Sequence, residues 1–148
     1  MKKYKVSFDV GAIILFLIIM IPNMIWFAIP SPNDILRAES VTKLVDMIAS
    51  ISQVVMLGIL CVFVNAECEK YRLTRFVFAT IISCVLYFIC WILYYAGITN
   101  DGIILGMTIC PCLAFLFFAI DRKNYIAIVP IVVFMACHLI YGIVNFII

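Results

Sequence analysis

LVDMIASISQVVMLGILCVFVNA, residues 44–66, reads as a membrane-crossing helix that carries a polar stripe. The run is long enough to cross a ~30 Å hydrocarbon core at ~1.5 Å per helical residue. Asp46, Ser50 and Gln53 recur at i, i+4 and i+7 and so share one helical face. A helix surrounded by lipid would not carry such a face. The stripe therefore predicts that this span packs against others and turns its polar groups into a bundle.

Composition extends that reading to the whole chain. Of 148 residues, 68% are hydrophobic and only 12% charged, where soluble domains run near half and a quarter. The excess apolar surface predicts a lipid bilayer as its surroundings and one membrane domain over residues 1–148. Four further apolar runs, 8–29, 75–97, 102–120 and 125–148, have spanning length. They lack the period-2 alternation of barrel strands, and a helix satisfies its own backbone hydrogen bonds in lipid. The expected fold class is all-α, a polytopic integral membrane bundle of five transmembrane helices. The first run is expected to be retained, because it is long for a signal-peptide core and residues 26–32 offer no A-x-A cleavage site.

Basic residues set the expected orientation. Lys2, Lys3, Lys5, Lys70, Arg72, Arg75, Arg122 and Lys123 fall on one side of the alternating topology, and only Arg37 and Lys43 on the other. The positive-inside rule then puts the N-terminus in the cytoplasm and the C-terminus outside. A net charge of +2 spread beside apolar runs gives no footprint for nucleic acid. An Ile- and Lys-rich chain with many thiols suits a bacterial inner membrane.

The first connection, 30–43, is the longest. Pro30-Ser31-Pro32-Asn33-Asp34 cannot continue a helix, and Asn33 or Asp34 is expected to cap a short interfacial helix through Ile35, Leu36, Ala38 and Val41. Asp34, Arg37, Glu39 and Lys43 balance one another there. The segment reads as an ordered linker or as a lid over an outward-facing cavity.

Drawn to depth, the polar side chains concentrate in the outer half. Asn23 follows Pro22 in the first span, Asp46, Ser50 and Gln53 descend the second, and His138, Tyr141 and Asn145 share a face of the fifth. Tyr87, Trp91 and Tyr94 form a stripe on the third. The inner halves are nearly all aliphatic, aromatic or small. Singly, each polar group reads as interhelical glue, interfacial anchoring or core packing. Together they predict a polar and aromatic cleft, with Asn23, Asp46, Ser50, Gln53, Tyr87, Trp91, His138, Tyr141 and Asn145 as ligand-binding candidates. Prolines at 22, 111 and 130 would kink helices and widen the bundle. Gly102, Gly106 and Cys110, followed by Ala114, form a small-residue stripe for close helix packing, inside the bundle or at a homodimer seam.

Seven cysteines predict no redox or metal centre and no cofactor. Six fall within spans and Cys68 on the cytoplasmic side, and Cys110-Pro111-Cys112 is not a C-x-x-C motif. Glu67, Glu69, Lys70 and Arg72 read as a solvated turn. No nucleophile elbow, zincin helix or phosphate loop is present, so the chain is not expected to be an enzyme. The favoured function is binding or transport of a small amphipathic molecule. The alternative is an accessory or immunity-type subunit that contacts a partner membrane protein through its helices, and the third reading is an intramembrane enzyme.

Overall fold

The computed structural model describes residues 3–68 and 70–148; Lys2 of the basic lead and Glu69 of the charged turn lie outside the described residues. Five helices account for the apolar runs: α1 (Val10–Ala28), α2 (Lys43–Val62), α3 (Arg75–Tyr95), α4 (Asp101–Asp121) and α5 (Tyr125–Phe146). Each is long and apolar enough to cross a membrane. The N-terminus and the α2–α3 and α4–α5 connections share one end of the bundle, here the basic end. The other two connections and the C-terminus share the far end.

Side-chain caps fix where several helices begin. Asp9 accepts from Ala12 N (3.2 Å), Thr74 from Val77 N (3.2 Å) and Asn100 from Ile103 N (3.0 Å). Helices α3 and α4 both end in Schellman turns. In α3, Gly97 adopts φ +88, with Gly97 N bonding Tyr94 O and Ile98 N bonding Leu93 O. In α4 the same left-handed position falls on Lys123 (φ 49), with Lys123 N on Ile120 O and Asn124 N on Ala119 O.

Packing runs as a row, α3 against α4, α4 against α5 and α5 against α2, while α1 touches α2, α3 and α4 more sparsely. Helix α4 is central: 56% of its apolar window is buried, against 22% or less for the others. Outward-facing residues such as Leu17, Met24, Val54, Ile92 and Val129 leave the outside of the bundle apolar. Gly106 lets α3 pack close against α4, since a Cβ there would run into Cys90 Sγ. Ala114, two turns further along the stripe, is fully buried, and its carbonyl lies 3.5 Å from Thr80 Oγ1. Gly102 does not take part. It is exposed in the first turn of α4, and a Cβ there would meet only Asn100.

Two local expectations are corrected. The second run is not helical to residue 66: α2 stops at Val62 and Phe63–Asn65 becomes strand β2, antiparallel to β1 (Tyr4–Val6). The β1 side and Asn124 share the stop: Asp9 N and Ser7 N bond Cys61 O and Val62 O, carbonyls of the last turn, and the Asn124 amide donates to Ile59 O (3.3 Å) and Phe63 O (2.8 Å). The 30–43 connection holds only a 3-10 turn, Ile35–Arg37, rather than a longer capped helix. Asp34 makes no cap hydrogen bond there. Its carboxylate is engaged by side chains instead: Trp26 Nε1 (2.8 Å), Tyr94 OH (2.9 Å) and Arg37 (2.7 Å).

The basic end is polar inside as well as on its surface. Asp9 and Arg122 form a buried ion pair at 2.9 Å, with side chains 4% and 7% exposed. Tyr71 donates to Asp9 (2.6 Å), accepts from Gly11 N (2.9 Å) and lies under the Arg122 guanidinium (4.4 Å). Burial and the bond to Asp9 raise the Tyr71 phenol above its ordinary pKa, so it remains a donor. Nearby, Thr74 bonds Asp121 and Asn65 donates to Lys123 O (3.0 Å).

Removing one partner of such a pair strands a buried charge, at a cost of ~3–5 kcal/mol. Arg122→Met is accordingly expected to lower the unfolding midpoint sharply in a neutral detergent, read by intrinsic tryptophan fluorescence. Adding Asp9→Asn, which removes the stranded charge and keeps a capping oxygen, should recover most of the loss. Equal midpoints for the single and double variants would contradict this account.

Candidate functional site

Sparse packing of α1 leaves space between it and the row of the other four helices. Two adjoining cavities occupy it toward the far end, of about 180 and 460 Å³. Both are lined by Asn23 of α1, Tyr87 of α3, and His138 and Tyr141 of α5. The larger adds Asp46, Ser50 and Gln53 from α2, so the i, i+4, i+7 stripe does face a hollow. The smaller adds Trp26, Trp91 and Met107. A hollow of about 580 Å³ at the basic end is built from charged loop residues, among them Glu67, Lys70 and Lys123, and has no aromatic wall.

Protein contacts fix one side of the site and leave the other open for bonding. Asn23 Nδ2 donates to Tyr87 OH (2.8 Å) and to Ile19 O (3.0 Å), which joins α1 to α3 across the gap. Tyr87, Trp91 and Tyr94 are all buried and meet edge to face at 6.3 and 5.8 Å. His138 stacks between Phe134 (5.0 Å) and Tyr141 (6.0 Å). Among the described residues, neither the His138 imidazole nor the Gln53 amide hydrogen-bonds a protein atom. Trp91 Nε1, by contrast, is sealed inside the aromatic stripe beside the Tyr87 hydroxyl. The His138 and Gln53 groups, which line the cavity with no protein partner, are free to bond a molecule within it. Asp46 sits at the edge of this set, with Oδ1 accepting from Thr42 at 2.9 Å.

Two candidates have other work. Asn145 does not line either cavity; it accepts from Val41 N (2.8 Å) and donates to Thr42 Oγ1 (2.8 Å) and Tyr141 O (2.9 Å). It ties the end of α5 to the start of α2. Ser50 lines the larger cavity, but its hydroxyl is spent on Asp46 O (2.9 Å). Over the cavities' far end, the Trp26–Asp34–Tyr94 network holds the 30–43 connection down, and Tyr94 OH also accepts from Leu36 N (3.3 Å). Burial raises the Asp34 carboxyl, but the bonds from Trp26, Arg37 and Tyr94, with the Arg37 charge, outweigh it and hold the group below its ordinary value.

Sequence reasoning missed Asp9, Arg122 and Tyr71, which lie at helix ends or in a connection, where charge is ordinary. The one available signal was that Asp9 and Arg122 fall at the same end of the topology. The seven cysteines are all free thiols, and among the described residues no three His, Cys, Asp or Glu side chains gather as a metal site. Comparison with protein-family models, with curated proteins and with solved structures finds no match to this chain.

The two amides separate structure from site. Asn145→Leu removes three hydrogen bonds and is expected to cost ~1–3 kcal/mol in the detergent melt. Gln53→Leu removes none to the protein and should leave the melt within ~0.5 kcal/mol. A large loss for Gln53→Leu would mean that its amide is structural. Acid tests the Asp34 network. A carboxyl with a lowered folded pKa contributes stability that is complete above ~pH 4 and is lost as pH falls through the folded value. Asp34→Asn should therefore flatten the acid limb of the stability profile below pH 4; an unchanged limb would rule the network out as its source.

Proposed function

We propose that this chain is a multi-pass membrane protein that binds a small amphipathic molecule in the cavity between α1 and the other four helices. In this reading the basic end faces the cytoplasm, as the positive-inside rule requires, and the cavity opens toward the outer half of the bilayer. What supports it most is the convergence of unspent polar groups on an aromatic hollow: the His138 imidazole and the Gln53 amide, beside the Asp46 carboxylate, meet no protein partner there. Concave, mostly apolar sites with a few convergent polar groups are how proteins hold small ligands. Tyr87 and Tyr141 supply apolar faces, and Asn23 joins the two sides. Transport is the extension of this role, with sparsely packed α1 as the moving wall.

Native mass spectrometry in a neutral detergent tests the proposal, with wild type beside Gln53→Leu and His138→Ala. The expected result is an adduct of a few hundred daltons on wild type that both folded variants lack. A discrete homodimer or a second protein in place of any adduct would replace binding by a subunit role.

A further inference from the structure

The cavity's electrostatics name a ligand class, an inference that rests on the binding role proposed above. Its formal charge has one sign. Asp46 brings a carboxylate to the larger cavity, and no lysine or arginine lines either one. Among the described residues Asp46 has no ion-pair partner, and its one side-chain bond is from a neutral hydroxyl, Thr42. Of the two far-end cations, Lys43 stands exposed at i−3 on α2 and makes no ion pair with Asp46, and Arg37 is already committed. Arg37 binds Asp34 at 2.7 Å, donates to Trp26 O at 2.7 Å and stacks on the Trp26 ring at 4.8 Å.

Aromatic faces accompany that carboxylate. Phe134, His138 and Tyr141 form a stacked column on α5, with interplanar angles of 17° and 11°. Tyr87 and Trp91 stand across the hollow on α3. An anion would meet the uncompensated Asp46. An inorganic cation would find one carboxylate where hard metal ions take six or more oxygens. A bulky organic cation meets both features, charge at Asp46 and π faces around its apolar body. We propose that the ligand is a lipophilic organic cation, a quaternary or protonated amine on an aromatic or branched alkyl frame.

Tetraphenylphosphonium and tetraphenylborate, nearly the same shape with opposite charge, test this beside the neutral amphipath N-phenyl-1-naphthylamine. The chain's two tryptophans, Trp26 and Trp91, both line the smaller cavity, so the intrinsic fluorescence of purified wild type in a maltoside detergent reports on the site. The phosphonium ion should quench it saturably and bind at least about tenfold more tightly than the borate. Asp46→Asn should erase that preference and Asp46→Glu restore it, with melts showing both variants folded. Equal binding of all three probes, insensitive to Asp46→Asn, would overturn the cation assignment and leave amphipath binding standing. Saturable binding of none would overturn both.

Discussion

One carboxylate organises the basic end. Asp9 caps α1 through Ala12 N, accepts the Tyr71 phenol and pairs with Arg122 at the end of α4, so three distant segments meet at one side chain. Each contact alone is modest, but the group is 4% exposed, and a charge held out of water tolerates little slack. The ribbon of β1 and β2 leads directly into it, with Ser7 N on Val62 O and Asp9 N on Cys61 O continuing the pairing. Helix α1 is therefore anchored where it starts, although it touches its neighbours sparsely along its length.

The far end of α1 is held differently. Trp26 and Tyr94 donate to Asp34, and Tyr95 OH donates to Ile29 O at 2.6 Å. Between these fixed ends, among the described residues, Asn23 alone hydrogen-bonds across the gap, to Tyr87, and the space on either side of that bridge is the cavity. Its existence follows from how polar bonding is distributed. Helices packed ridge into groove would close the space, whereas a helix pinned at its ends and bridged once leaves it open.

What was legible in the sequence follows from periodicity. Helical spacing fixed the common face of Asp46, Ser50 and Gln53, and counting turns from the connections put Asn23, Tyr87 and His138 at matching depth. Periodicity says which face a residue is on, not what stands opposite. Gly102 shares the face of Gly106, yet it lies in the first turn where no neighbour approaches. Asn145 shares the face of His138 but reaches the backbone at Val41 instead of the hollow. Phe63–Asn65 looked helical because it continues an apolar run; its strand depends on Asn124 and on residues 4–6, both distant in sequence. The Asp9–Arg122 pair was hidden for the same reason, since single charges flanking spans are common and their pairing is a tertiary fact.

The separation of that pair also sets an order of events during synthesis. Arg122 lies 113 residues after Asp9. At ~5–20 residues per second, roughly 6 to 23 seconds pass before the ribosome has made the cation that matches the first helix's carboxylate. Residue 65 arrives earlier and Tyr71 soon after, so the ribbon and the phenol are available while the charge is still unmatched. Until then Asp9 has the Ala12 N–H and the Tyr71 phenol to bond, and its ion pair can form only once the end of α4 has been made. The helix made first is thus fully anchored only after the fourth is made, and α5, which also lines the hollow, is made later still.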